Sequence, residues 1–334
     1  MISHSIDDLV CDRVFLDISR HINRGSNKVI LKIEGFNPAG SVKIKTARYL
    51  LDAVLATKPN DFEGIIESSS GNLGIALAAI CAARGIPFEC VVDANVLEEK
   101  SAQIRCLGAQ VTVISTRDNN GGYLGTRIAY IRQTIGRRPG LLWTNQYANE
   151  ANVAAHYSET APSIHAEFPA LDYLFVGAGT TGTLFGCVKY FAINAPLTKV
   201  IAVDAAGSVT FGDRAGKRFI PGIGTSHRPP LVSIVDASPS EVMHVQEKES
   251  VLRCRSFSRQ SGLLVGGSTG SVITAAERYI DEHGLEDKTI VIIAPDLGHP
   301  YLSTIYDNGW VREHFPALSL ATPVPDVERP PNSA

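Results

Sequence analysis

The sequence predicts an α/β fold of two lobes, with mainly parallel twisted sheets flanked by helices. Apolar, β-branched runs alternate repeatedly with segments of helical period, as expected of parallel strands joined by crossover helices. The chain of 334 residues is also about twice the length of a common single domain. Hydrophobic residues make up 44% of it and charged residues 19%, which suits an ordered globular protein with a sizeable core.

In chain order, the turn-forming Asn37-Pro38-Ala39-Gly40-Ser41-Val42-Lys43 opens an amphipathic helix through Ala47, Leu50, Leu51 and Val54. A strand over 64–68 leads into an Ala/Leu/Ile-rich helix over 72–84, stopped by Gly85 and Pro87. Then come a strand over 88–92, a helix over 98–107 and a strand over 110–114. A loop with Gly121 and Gly122 precedes helical spacing over 124–135, and the pattern restarts after Asn145-Gln146-Tyr147. The second lobe carries strands over 173–176, 200–204 and 289–294, helices after Thr181 and after Gly270, and a Gly/Arg-rich loop over 207–228. These breaks divide the chain into a smaller lobe, 39–149, and a larger one, 1–38 with 150–315. The Pro-rich stretch 316–334 has no periodicity and reads as a flexible tail.

A net charge of −3 gives no reason to expect nucleic acid or an anionic membrane as partner. The N-terminus is polar and acidic, with neither a signal-like apolar core nor a later membrane-length stretch, so a cytoplasmic protein is expected. The six cysteines lack C-x-x-C spacing and read as reduced, buried thiols. The histidines lack H-E-x-x-H spacing, and no metal is expected.

Three motifs carry chemistry. Lys43 near a helix start has its ammonium disfavoured by the helix dipole, which suits an amine that forms an imine; a solvated lysine is the alternative. Ser68-Ser69-Ser70-Gly71-Asn72 joins a strand to a helix, where hydroxyls and free amides suit a carboxylate, although Ser and Asn there also serve as caps. Gly177-Ala178-Gly179-Thr180-Thr181-Gly182-Thr183 offers amides and hydroxyls to a phosphate dianion. This last stretch also matches G-x-G-x-x-G, with Asp204 at the distance of a ribose-binding acid, so an NAD-binding oxidoreductase is a rival reading.

Taken together, the order and separation of these motifs resemble the fold-type II pyridoxal 5′-phosphate (PLP) family of cysteine synthase and cystathionine β-synthase, over 32–310. The resemblance implies that Lys43 forms the Schiff base with PLP and that Asn72 meets the cofactor's 3′-oxygen. It further implies that Ser69, Ser70 and Gly71 hold the substrate carboxylate and that Gly179, Thr180, Thr181, Gly182 and Thr183 hold the phosphate. Gln146 matches a family glutamine near the substrate, and Gly222 belongs to a loop over the cofactor. The family's P-S-S-G is replaced by Pro295-Asp296-Leu297-Gly298, which leaves Ser268, or else Asp296, for the pyridine nitrogen. T-S-G-N-T becomes Ser69-Ser70-Gly71-Asn72-Leu73, with one hydroxyl fewer.

The stretches 67–74, 145–149 and 218–226 are most similar to the branch that makes N-(2-amino-2-carboxyethyl)-L-glutamate from O-phospho-L-serine and L-glutamate, on the way to 2,3-diaminopropionate and siderophores. Two anionic substrates call for cations or hydroxyl donors, and Arg127, Tyr147, Arg214, Lys217 and Arg218 are the supply. The resemblance also implies a homodimer acting on small amino acids. A sulfide-using cysteine synthase acting on O-acetyl- or O-phospho-L-serine and a catalytically silent sensor on the same fold are the remaining alternatives.

Overall fold

Residues 5–22, 25–118 and 121–318 are described by the computed structural model. Most of the proline-rich tail expected to be flexible, 319–334, lies outside the described residues. The chain runs through β1 (Phe15–Asp17), α1 (Ser19–Ile22), β2 (Lys28–Ile33), α2 (Lys43–Leu55) and β3 (Gly64–Ser68). It continues through α3 (Asn72–Arg84), β4 (Phe88–Asp93), α4 (Glu98–Cys106), β5 (Gln110–Ile114), α5 (Leu124–Arg137) and β6 (Leu141–Trp143). A helical stretch follows as α6 (Ala151–Ala155), a π turn and α7 (Ala161–Glu167), then β7 (Tyr173–Gly177), α8 (Gly182–Asn194) and β8 (Lys199–Ala205). The last elements are α9 (Leu231–Ile234), β9 (Glu241–Val245), α10 (Glu247–Ser261), α11 (Gly267–His283), β10 (Thr289–Ala294) and α12 (Asn308–His314).

The strands form two sheets, ordered β1-β2-β10-β7-β8-β9 and β5-β4-β3-β6. Every pairing is parallel except that of β1 with β2. Helices cover both faces of central strands, which explains why β10 (TIVIIA) and β3 (GIIES) read as unbroken runs instead of alternating. One apolar core, with Phe175, Ile292 and Phe257, underlies the six-stranded sheet, and another, with Ile65, Leu77 and Cys90, underlies the four-stranded sheet.

Two sequence expectations change. Helix α11 starts at Gly267, not after Gly270, because Gly270 is a packing point: a Cβ there would lie 2.4 Å from Cys254 Sγ on α10. Among the described residues the six cysteines form no disulfide, but Cys11 and Cys106 are exposed while the other four are buried.

Parallel sheets gather their ligands outside the carboxyl ends of the strands. Residues from the loops after β3, β6, β7 and β10 do line a common cavity here. Beneath it, α2 is fastened to β2 by buried charges: Lys45 lies 2.9 Å from Glu34 and also meets Asp12, while Lys32 lies 3.2 Å from Glu34. Isolated lysines at such depth would be costly, and the two carboxylates beside them offset that cost.

Candidate active site

The site is built around Lys43. Asn37 shapes the turn before it by donating to Glu34 O (2.8 Å) and Ser41 O (3.0 Å) and by accepting from Ala39 N (3.0 Å). Val42 N donates to Pro295 O at 2.8 Å, which ties the start of α2 to the end of β10. Among the described residues the Lys43 Nζ has no hydrogen-bond or ion-pair partner, and burial lowers its pKa to about 8. The lowered pKa expected from the helix terminus is thus present, with burial as its cause.

The cavity measures about 1180 Å³ and gathers most of the candidates: Lys43, Ser69, Ser70, Gly71, Asn72, Arg127, Gln146, Tyr147, Gly179, Thr180, Thr181, Gly182, Thr183, Arg218, Gly222 and Ser268. Lys217 lines it too, whereas Arg214 is exposed and outside it.

The serine loop leaves β3 and enters α3. Ser69 Oγ accepts from Gly74 N at 3.0 Å, a capping use of the hydroxyl. Ser70 Oγ donates to Asp93 Oδ2 (2.8 Å) and accepts from Arg127 Nη1 (2.8 Å). Arg127 also stands 3.3 Å from Asp93. Across the cavity the glycine–threonine loop leaves β7 with Thr181 in the left-handed region (φ 71°) and runs into α8. The first amides of a helix have no intrahelical acceptor and the dipole favours an anion there, so the loop is suited to a phosphate. Gly179 has to be a glycine, since a Cβ would lie 2.8 Å from Gly222 O in the crossing loop.

Several residues that position the site escaped sequence reasoning. Fully buried Glu67 accepts from Ser68 N (2.6 Å), Trp143 Nε1 (3.3 Å), Thr144 Oγ1 (2.5 Å) and Gln146 N (3.0 Å), so it shapes two loops at once. Gln146 Nε2 in turn donates to Ser68 O at 3.0 Å. Asp93, Lys100, Asn152, Glu247 and Tyr301 are the others. Glu247 receives Phe219 N (2.8 Å) and Ile220 N (2.7 Å) and so holds the loop that carries Arg218. The available signal was a carboxylate at or next to the end of a largely apolar strand, as in Glu67 of GIIES and Asp93 of FECVVD.

The lining carries Lys43, Lys100, Arg117, Arg127, Lys217 and Arg218 against only Asp93 and Asp296. Asp93 is engaged by Ser70 and Arg127, and Asp296 by Asn72 and Tyr301. The surplus is positive and favours anionic occupants. Burial works against the guanidinium of Arg218 and lowers its pKa, while burial raises that of the Tyr147 hydroxyl. Asp204, the ribose-binding acid of the oxidoreductase reading, is fully buried, accepts from Ala205 N at 2.8 Å and does not line the cavity.

Comparison with known proteins settles the class. The family described as "Pyridoxal-phosphate dependent enzyme" matches residues 17–296. The chain belongs to this family. That membership, together with the buried position of Asp204, overturns the NAD-binding reading. A protein of Ralstonia nicotianae named N-(2-amino-2-carboxyethyl)-L-glutamate synthase is 37% identical, over 98% of this chain and 99% of that protein. Another of the same name from Cupriavidus metallidurans is 36% identical, over 93% and 92%. Among solved structures, the O-acetylserine dependent cystathionine β-synthase of Helicobacter pylori matches with a TM-score of 0.83 and 28% identity, over 92% of this chain and all of that one. An O-ureido-L-serine synthase matches with a TM-score of 0.80 and 28% identity, over 92% of this chain and 96% of that one.

The enzyme is therefore PLP-dependent, and the cavity fits the group. It holds one unpartnered amine at Lys43, a helix N-terminus for the phosphate, and the hydroxyl of buried Ser268, which has no protein partner among the described residues.

Proposed function

We propose that this enzyme replaces the β-substituent of O-phospho-L-serine with the amine of L-glutamate, giving N-(2-amino-2-carboxyethyl)-L-glutamate for 2,3-diaminopropionate or a related secondary metabolite. The observation that carries the proposal is the full-length similarity to two synthases of that name. The cationic lining agrees with it, since a phosphate leaving group and a dicarboxylate nucleophile are both rich in negative charge.

Bound PLP withdraws electrons from the substrate α-carbon and so eases loss and replacement of the β-substituent. In this reading Lys43 anchors the cofactor and moves the α-proton at its Nζ. Gly179, Thr180, Thr181, Gly182 and Thr183 bind the cofactor phosphate, Asn72 meets the ring oxygen, and Ser268 faces the pyridine nitrogen. Ser268 is preferred because its hydroxyl is uncommitted; Asp296 is the alternative, since Asn72 and Tyr301 both donate to its Oδ2 and leave its buried Oδ1 without a partner among the described residues. The Ser69–Gly71 turn and Gln146 take the substrate carboxylate, and Arg127, Tyr147 and Arg218, under the loop of Gly222, receive the nucleophile's carboxylates.

Residues 39–149 form the smaller lobe in this reading, closing on the larger, and the enzyme works as a cytoplasmic homodimer. Incubating the PLP-loaded protein with O-phospho-L-serine, with and without L-glutamate, tests the reaction. Phosphate release that requires glutamate and yields the conjugate by mass supports it. Release that responds only to sulfide makes the enzyme a cysteine synthase.

A further inference from the structure

The Asn72 side chain is held at both ends by groups of opposite chemistry. Lys100 Nζ donates to Asn72 Oδ1 at 3.2 Å, and Asn72 Nδ2 donates to Asp296 Oδ2 at 2.7 Å. Both partners are buried, Lys100 being 4% exposed and Asp296 3% exposed. Tyr301 completes the group, with its hydroxyl donating to the same Oδ2 at 2.5 Å and Lys100 Nζ lying 4.9 Å from its ring centroid. The Lys100 head has only donors to offer, and an oxygen that receives two donors is an acceptor. Only one orientation of the Asn72 amide satisfies both. Turned over, it would set NH₂ against the lysine and C=O against the carboxyl group, leaving buried polar groups unpaired. In the observed orientation Asp296 takes one amide hydrogen, and the other can serve an acceptor in the cavity that Asn72 lines.

We propose that Lys100 and Asp296 are positioning residues that lock the Asn72 amide in one orientation, so that an N–H is presented to the oxygen on the cofactor ring. This rests on the reading of Asn72 as the ring-oxygen ligand. Lys100 comes from α4 and Asp296 from the end of β10, so the lock joins an element on the four-stranded sheet to one on the six-stranded sheet. It also gives a role to the aspartate that stands where the family's P-S-S-G carries serine.

The test compares the visible absorbance and the PLP dissociation constant of the loaded parent protein, Asn72→Ala, Lys100→Met and the double variant. Asn72→Ala is expected to move the absorbance band and weaken PLP binding about tenfold, as for loss of one good hydrogen bond. Lys100→Met moves the band in the same direction, and adding it to Asn72→Ala changes nothing more. Lys100→Gln, which keeps size and polarity but fits either amide orientation, gives an intermediate band and serves if Lys100→Met does not fold. An unchanged band in both Lys100 variants overturns the lock, as does a shift that persists undiminished in the Asn72→Ala background. An unchanged band in Asn72→Ala overturns the ring-oxygen reading and the lock with it.

Discussion

Arg127 Nη1 donates to Ser70 Oγ at 2.8 Å, so a guanidinium from α5 is joined to the turn between β3 and α3. The same guanidinium stands 3.3 Å from Asp93 at the end of β4. A planar group with several fixed donors can hold both contacts and still face the cavity, as a lysine cannot.

Replacing Arg127 should therefore affect the second substrate most. Arg127→Met is expected to raise KM for L-glutamate tenfold or more, taking a charge-assisted hydrogen bond as about 1.5–3 kcal/mol. Arg127→Lys should recover little of the loss. Steady-state kinetics at saturating O-phospho-L-serine make the comparison, and an unchanged KM in both variants removes Arg127 from the nucleophile site.

Much of the scaffold was legible because buried parallel strands announce themselves as apolar runs, and β3, α3, β5 and β10 have the ranges expected. The glycine and hydroxyl motifs were legible because each sits at a strand-to-helix junction that only a few residue types tolerate. The support around them was not. Glu67 and Thr144 are 77 positions apart and Asn72 and Asp296 are 224 apart, so no local pattern links them. A carboxylate at a strand end reads the same whether it meets water or four buried donors. Gly270 misled for a related reason: its glycine answers to a neighbour on α10, not to a helix boundary.

The Glu67 network predicts a loss of stability for a change that keeps shape. Glu67→Gln turns one acceptor oxygen into a donor, and each carboxylate oxygen now serves two donors. Two buried donors lose their acceptor whichever way the amide lies, a loss of about 2 kcal/mol or more. Urea unfolding of the cofactor-free protein should show it, and a midpoint equal to the parent's would mean that the loops do not depend on Glu67.

Lys43 predicts a pH-dependent stability of the cofactor-free protein. Its folded pKa of about 8 lies below the ordinary lysine value of 10.5. Between those two values the unfolded chain binds a proton that the folded chain does not, so stability rises with pH through that window. Below it the folded protein carries the penalty of an ammonium partly withdrawn from water in the cavity wall. Lys43→Met should be the more stable protein at pH 7, by thermal unfolding without PLP, with the advantage shrinking as pH approaches 10. A variant less stable than the parent at pH 7 contradicts the desolvation of the charge.

Gly182 predicts how the phosphate loop fails. A Cβ at this position would lie 2.1 Å from Asn152 Oδ1. Asn152 is fully buried and donates to Gln146 O (2.9 Å) and Thr180 Oγ1 (3.0 Å), while it accepts from Thr46 Oγ1 on α2 (3.2 Å). One side chain thus fixes the start of the phosphate loop, the loop after β6 and the helix that begins with Lys43. Gly182→Ala has to displace it, and PLP affinity is expected to fall at least tenfold, with a lowered thermal midpoint. Gly136→Ala is the control, since the position is helical and exposed, and a Cβ there would meet nothing beyond its own helix within 4 Å among the described residues. There the alanine should stabilise by up to about 1 kcal/mol and leave PLP binding unchanged. Fluorescence titration with PLP and thermal unfolding of both variants decide the matter; parent-like affinity in Gly182→Ala would show that the loop holds its shape without Asn152.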